Sequence, residues 1–292
     1  MTPAPSGRGL PIAGPAHPPP FWLTAEHFAA ALLWLLAGAV GLIITAGELA
    51  AGNFLAPRLL AVTHMFTLGV LTTTIFGALN QFFPGALGIS IRSVRVAHWT
   101  WILHTAGTLT LVTGFWVWRP ALLGTGWLLL FAGVFGSSWN LLPQRRKAPR
   151  GLVVGRYVSA GHIALGTAML VAAARIGNSL GWWPLDRMAI VVSHFHLGVF
   201  GFVVFTAVGV GSWMLPMFLL AASAPTWPLR WIGPVGMSGL AALTAGALGG
   251  WPLLARAGGT LVLVSALLYL VQLALYFKHA ERRPMDPAMA HV

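Results

Sequence analysis

The sequence contains no cysteine and has only five acidic residues in 292. Without cysteine, the chain forms no disulfide bond and no thiolate metal site. The acids stand at or near the ends of apolar stretches or in the segments between them, at Glu26, Glu48, Asp186, Glu281 and Asp286. A relay of buried carboxylates for proton uptake is therefore not expected.

Charge of either sign is scarce, since 8% of the residues are charged and 57% are hydrophobic, with a mean hydropathy of +0.80. A soluble domain needs more polar surface than this. Long apolar stretches recur along the chain, each near the roughly 20 residues that cross about 30 Å of hydrocarbon. Alternation at the strand period is absent. The expected fold class is therefore all-α, a polytopic membrane helical bundle.

Proline and charged residues divide the apolar sequence into eight predicted transmembrane helices. These cover approximately residues 25–47, 58–83, 96–118, 121–142, 153–175, 188–220, 229–249 and 253–277. Residues 1–24 are rich in proline and glycine and are expected to form a flexible tail. Residues 278–292 form a second, C-terminal tail.

The net charge of +12 comes from 17 Lys and Arg residues, which fall mainly between the spans. We interpret them as a topology signal and not as a nucleic-acid interface. Twelve lie on the side of both termini and five on the other side, which places the N- and C-termini in the cytoplasm. The densest basic loop is expected to be solvated, with contact to anionic lipid as the second interpretation, and contains Arg145, Arg146, Lys147 and Arg150.

Residues 132 positions apart match repeatedly along the chain, and the register superimposes spans one to four on spans five to eight. The matches include His64 with His196, Gly69 with Gly201, Gly77 with Gly209, Pro84 with Pro216, Trp99 with Trp231, Gly107 with Gly239 and Pro120 with Pro252. They predict two tandem four-helix repeats of the same orientation, residues 25–142 and 153–277, that form one bundle.

Six histidines lie within predicted spans, at positions 64, 98, 104, 162, 194 and 196. Ionisable residues inside spans usually face the bundle interior and are functional. The alternative is a neutral imidazole that hydrogen-bonds across helices and only stabilises their packing. Six of them together, where acids are almost absent, favour binding of haem or a metal ion.

His64 and His196 occupy equivalent positions in the two repeats, about 10 Å below the outer surface. Pseudo-two-fold symmetry would let them take the two axial positions of one haem, which is a low-spin electron-transfer centre. His194 points about 200° away from His196 on a helix and has no counterpart in the first repeat. It is expected to serve a second site or to be structural.

The histidines at positions 98, 104 and 162 are predicted to lie deeper in the membrane. Together they are candidate copper ligands, and His104 with His162 are alternatively candidate ligands of a second haem. His98 and His104 lie about 240° apart on a straight helix, which counts against a copper site that uses all three.

Two stretches, THMFTLGVLTTTIFGALNQFFPGALG at residues 63–88 and SHFHLGVFGFVVFTAVGVGSWMLPMF at 193–218, resemble subunit I of the haem-copper oxidase superfamily. The resemblance implies that His64 and His196 are low-spin haem ligands and that His194 is the proximal ligand of a second haem. It also implies a multi-pass protein of a prokaryotic-type cytoplasmic membrane.

The chain departs from that family because about eight helices are predicted where the family has about twelve. It also lacks an adjacent His-His pair and a His-Pro-Glu-x-x-Tyr stretch, which carry copper and a redox tyrosine in the family. We therefore expect a b-type cytochrome with one or two haems, within an oligomer or complex, that exchanges electrons with quinol or a partner subunit of a respiratory chain. Two alternatives stay open: a small reductase of oxygen or nitric oxide, and a sensor, transporter or assembly protein for haem, copper or gas.

Overall fold

The computed structural model describes residues 19–142, 153–179 and 181–281, and all regular secondary structure within these ranges is helical. The all-α prediction is therefore confirmed. Residues 1–18, the basic loop that contains Arg145 and Arg150, and residues 282–292 lie outside the described part. Helix α1 begins at Phe21, a few residues before the predicted start of the first span at residue 25.

The chain divides into two compact units, Met1–Arg150 and Gly151–Val292. The first unit contains α1 (Phe21–Ile44), the short α2 (Ala46–Ala50), α3 (Pro57–Leu87), α4 (Val94–Trp116) and α5 (Pro120–Leu141). The second contains α6 (Val153–Ser179), α7 (Arg187–Leu219), α8 (Pro228–Leu248) and α9 (Pro252–Lys278). The prediction that the halves form one bundle stays a prediction.

Seven helices of the described residues are long and apolar enough to cross a membrane, which makes this a multi-pass membrane protein by length and composition. They are α1, α3, α5, α6, α7, α8 and α9. The remaining long helix, α4, has 23 residues but is less apolar because it carries Arg95, His98, His104 and several threonines. All eight long helices lie within a few residues of the predicted spans.

Helices α3 and α7 each contain a π-helical segment, Met65–Thr72 and His196–Val204 respectively. In the first segment, the Thr72 hydroxyl donates to the Thr67 carbonyl at 2.9 Å, five residues back. Thr73 donates in the same way to the Leu68 carbonyl at 3.0 Å. Segments of this type are rare and frequently mark functional sites. One directly follows His64 and the other begins at His196.

Glycines bring α4 against α5, and α8 against α9, at backbone distance. A β-carbon on Gly107 would lie 2.8 Å from the Leu130 backbone nitrogen, and one on Gly239 would lie 2.8 Å from the Val262 nitrogen. Small residues of this kind allow membrane helices to pack without an apolar driving force between them. The glycines therefore fix the spacing within each helix pair.

A side-chain amide joins the last turns of a helix to a loop in both units. In the first unit, Asn140 Oδ1 accepts from the Ser93 backbone N–H at 2.8 Å, just before α4 begins. In the second unit, Gln272 Nε2 donates to the Pro225 carbonyl at 3.1 Å, just before α8 begins. Pro225 stands where the first unit has Ser93, and proline has no N–H to donate. The Gln272 amide therefore donates to the Pro225 carbonyl, whereas the Asn140 amide accepts.

Tyr157 of α6 bonds to the backbone of α8 deep in the second unit. Its hydroxyl donates to the Leu229 carbonyl at 2.9 Å and accepts from the Gly233 N–H at 3.0 Å. An α-helix would bond these two backbone groups to each other. Pro234 follows immediately and removes the next N–H of the helix. Tyr157 thus supports α8 at the point where its own hydrogen bonding is interrupted.

Candidate functional site

His64 is half-buried in α3, one residue before the π-helical segment. Its Nδ1–H donates to the Leu60 carbonyl of its own helix at 2.7 Å. The ring stacks on Phe115 of α4, with centroids 5.1 Å apart and an interplanar angle of 22°. In a neutral imidazole, a proton held on Nδ1 leaves the lone pair on Nε2, the nitrogen that ligates metal. The backbone and Phe115 together fix the orientation of the ring.

His196 has the same local bonding in the second unit. Its Nδ1–H donates to the Val192 carbonyl, four residues back, at 2.8 Å. Phe195 meets the ring edge to face, with centroids 5.5 Å apart. The tautomer is again the one with the lone pair on Nε2. Each unit therefore presents a half-buried imidazole with its lone pair on Nε2 at the edge of a π-helical segment.

His194 forms a different kind of hydrogen bond, because its partner lies on another helix. Its Nδ1–H donates to the Ala168 carbonyl of α6 at 3.0 Å, whereas His196 donates to a carbonyl of its own helix. His194 and His196 therefore direct Nδ1 to different helices. The role of His194 as a ligand of a second haem stays a prediction.

The three histidines predicted to bind copper or a second haem have separate partners. His98 Nδ1 donates to Glu26, His104 Nε2 donates to the Leu68 carbonyl, and His162 Nδ1 donates to the Val158 carbonyl. Across the described ranges, no group of three or more His, Cys, Asp or Glu side chains could hold a metal ion. The copper and second-haem assignments stay predictions.

Sequence reasoning overlooked a half-buried acid–imidazole pair in the first unit. The Glu26 side chain is 14% exposed, and His98 Nδ1 donates to its Oε2 at 2.9 Å and its Oε1 at 3.1 Å. Trp22 and Trp101 pack on the His98 ring, with centroids 5.3 and 5.7 Å away. Glu26 lies near the start of α1, as expected for the acids, but its contact with His98 was not predicted. The pair joins residues 72 positions apart, and no local pattern in the sequence indicates it.

The structure also draws attention to His27, which the sequence left without a role. It is 1% exposed, and its Nδ1–H donates to the Leu23 carbonyl at 2.7 Å. Gly77 of α3 makes room for it, since a β-carbon there would lie 2.5 Å from the His27 β-carbon. His27 is therefore held in the interior by α1 and α3 together.

Comparison with known proteins does not assign the chain to a family. No protein-family model matches the sequence, and no curated protein matches it. The function is therefore argued from the helices and side chains themselves.

Proposed function

We propose that the protein is a haem-binding b-type cytochrome of the membrane that passes electrons, with His64 and His196 as axial ligands. One observation carries the proposal. In each unit, an imidazole at the edge of a π-helical segment donates its Nδ1–H to the carbonyl four residues earlier. This bond holds the tautomer and the ring orientation that a bis-imidazole haem needs.

The chemistry of this donor pair fits haem. Two neutral nitrogen ligands and no thiolate are typical of low-spin electron-transfer haems, and the chain has no cysteine. Haem, when bound, supplies one-electron transfer. The residues of the chain would bind the haem and orient the two imidazole rings. The Leu60 and Val192 carbonyls keep each proton on Nδ1, and the aromatic neighbours restrict ring rotation.

Contacts within each unit support a duplicated four-helix unit as part of this proposal. Gly107 approaches Leu130, and 132 residues later Gly239 approaches Val262. The pairs Asn140–Ser93 and Gln272–Pro225 keep the same offset. We accordingly propose that α4 is also a membrane span. Eight spans would put both termini on one side, and the excess of Lys and Arg on that side favours the cytoplasm of a prokaryotic-type cell. Quinol or a partner subunit would exchange the electrons.

The direct test is an optical spectrum of the purified protein before and after reduction, with a pyridine haemochrome assay for haem type and number. We expect the narrow bands of a low-spin b-type haem. The substitutions His64→Gly and His196→Gly should each abolish the low-spin bands, and added imidazole should restore them because it replaces the missing ligand.

His279→Gly provides a matched control, since this histidine also donates Nδ1–H to the carbonyl four residues back, at 2.9 Å from Leu275, but lies at the end of α9. The control should leave the spectrum unchanged. Low-spin bands that survive both His64→Gly and His196→Gly would overturn the ligand assignment, and a colourless protein expressed with ample haem would overturn the function.

A further inference from the structure

Helices α1 and α4 contact each other near their starts and leave a groove between them near their ends. Close to the start of both helices, His98 donates to Glu26 at 2.9 Å. Just beyond this pair, the rings of His27 and Trp101 lie 6.5 Å apart. About 20 Å further along α1, at Gly41, residues of α1, α3 and α4 line a groove of about 480 Å³. This volume lies within the range of about 300–1,000 Å³ that is usual for ligand sites.

The groove is apolar and open on the surface of the helices. Its floor is formed by Gly41 and Val112, which are buried, beside Met65 of α3. None of the described residues that line it is charged. Exposed apolar surface within a membrane span faces hydrocarbon, so an apolar ligand has to fill the groove. The exposed walls, each 52–59% accessible, are Leu36, Val40, Ile44 and Val117.

The length of the groove matches one leaflet of a bilayer. Ile44 is the last residue of α1, so the groove starts at the end of that helix and runs inward. From Ile44 to Leu36 it extends over eight residues, which is about 12 Å along the helix. The hydrocarbon of one leaflet is about 15 Å thick, half of the whole core. An acyl chain that lies along α1 therefore fits the groove.

A cation stands at the mouth of the groove. The guanidinium carbon of Arg58, at the start of α3, lies 5.8 Å from the ring centroid of Trp116, which lines the groove at the end of α4. This cation–π contact holds the exposed Arg58 side chain beside the opening. The ion pairs within the described ranges all involve Glu26, so Arg58 forms none with Glu48 of α2 or with another acid there.

We propose that this groove binds one anionic phospholipid, with an acyl chain between α1 and α4 and the phosphate on Arg58. The ligand has to be apolar along the groove and negatively charged at its mouth, and a phospholipid combines both properties. A guanidinium presents paired N–H donors that match a phosphate group. Trp116 beside it is typical of a membrane–water interface. The proposal does not depend on haem binding.

The equivalent positions of the second unit form no such site, so one lipid of this kind is expected per chain. At the offset of 132 residues, Ile190 stands in place of Arg58 and Leu197 in place of Met65. Ile190 is 1% exposed and Leu197 is 4% exposed, and both belong to the apolar core of that unit. These positions provide neither a cation nor an open wall.

Native mass spectrometry of the full-length protein in detergent, titrated with dioleoyl phosphatidylglycerol, measures the binding. One lipid should stay bound at collision energies that remove all others. Arg58→Gln should weaken its binding about tenfold, because a charge-assisted contact is lost. Arg256→Gln is the matched control, since it changes an exposed arginine near the start of α9, and it should bind as the wild type does. Equal affinity of the wild type and Arg58→Gln would overturn the proposal.

A second pair of variants tests the groove itself. Val40→Phe fills it from an exposed position and should reduce lipid binding several-fold at an unchanged thermal midpoint. Ile43→Phe is its control, because Ile43 is 77% exposed on the same helix and does not line the groove. Unchanged lipid binding by Val40→Phe would mean that the acyl chain lies elsewhere, and would overturn the proposal.

Competing ligands identify the occupant. Dioleoyl phosphatidylcholine should bind several-fold more weakly than phosphatidylglycerol, because its choline cation is repelled by Arg58, and this difference should disappear in Arg58→Gln. Equal binding of the two phospholipids to the wild type would overturn the proposal. Displacement of phosphatidylglycerol by an equimolar amount of decyl-ubiquinol would assign the groove to a quinol instead, and would overturn it as well.

Discussion

The two units use the same glycine contacts to hold their helix pairs together but fill the space beside those pairs differently. Gly114 of α4 approaches Leu123, and Gly246 of α8, 132 positions later, approaches Ala255. The close approach to the backbone recurs although the facing residue is leucine in the first unit and alanine in the second. Helix spacing is thus set by the glycines and tolerates changes in the side chains around them.

The interiors beside these pairs differ in polarity. The positions equivalent to Glu26, His27, His98, Trp101 and His104 are occupied in the second unit by Val158, Ser159, Arg230, Gly233 and Gly236. The second unit has no acid–imidazole pair at these positions and instead packs Tyr157 and Phe205 into its core. The same helix arrangement therefore surrounds an acid–imidazole pair in one unit and Tyr157 with Phe205 in the other.

The largest effect is expected from the shared glycines. Gly107→Ala and Gly239→Ala should each lower the free energy of unfolding by about 2–3 kcal/mol, because the added methyl group meets backbone that cannot move aside. Unfolding in mixed micelles with increasing SDS measures the loss. Gly124→Ala and Gly166→Ala, where a β-carbon meets nothing within 4 Å, should be neutral or slightly stabilising. A loss of unfolding free energy in only one unit would show that the two units do not depend equally on these glycines.

Tyr157→Phe should destabilise the second unit by about 2 kcal/mol, because the Leu229 carbonyl and the Gly233 N–H lose a buried partner. The same SDS titration measures it. Tyr276→Phe is the control: its hydroxyl is buried and has no hydrogen-bond partner within the described ranges. Its removal should change the unfolding free energy by less than about 0.5 kcal/mol. Equal losses in both variants would show that the two hydrogen bonds of the Tyr157 hydroxyl do not stabilise α8.

The two amides should contribute equally despite their opposite hydrogen-bond roles. Asn140→Ala and Gln272→Ala are each expected to cost about 1 kcal/mol, the usual net value of one hydrogen bond. Thermal unfolding of the variants in detergent provides the measurement, with the exposed Asn53→Ala as control. A large loss for Asn140 with none for Gln272 would mean that only the first unit depends on this link.

The smallest effect is expected where the interiors differ. Arg230→His places a histidine at the position equivalent to His98, but Val158 stands where Glu26 would be. No acid–imidazole pair can form, so thermal unfolding should shift by less than about 0.5 kcal/mol. A clear stabilisation would indicate a partner for residue 230 that the comparison of the two units does not provide.

Helix positions were predictable because proline and charge interrupt the apolar sequence at nearly every boundary. Pro57, Pro120, Pro228 and Pro252 each stand at the first residue of a helix, where a missing N–H costs nothing. The fold class was therefore predictable from composition and from the positions of proline and charged residues.

The Glu26–His98 pair was not predictable from the same sequence. Glu26 and His98 are 72 positions apart, and nothing local to either residue indicates the pairing. The π-helical segments are equally hidden, and the Leu68 carbonyl within the first of them accepts from both His104 and Thr73. Hydropathy records neither the contacts between helices nor these local changes in hydrogen bonding.

The bond from Tyr157 to α8 has a consequence for the order of assembly in the membrane. A helix that enters hydrocarbon alone must satisfy its own backbone, and α8 fails to do so because Pro234 leaves the Arg230 carbonyl without its usual donor. Beside this gap, the Leu229 carbonyl and the Gly233 N–H are bonded to α6. Helix α6 leaves the ribosome first, so its tyrosine is already in place when α8 arrives. Helix α6 thus supplies hydrogen bonds that α8 does not form within itself.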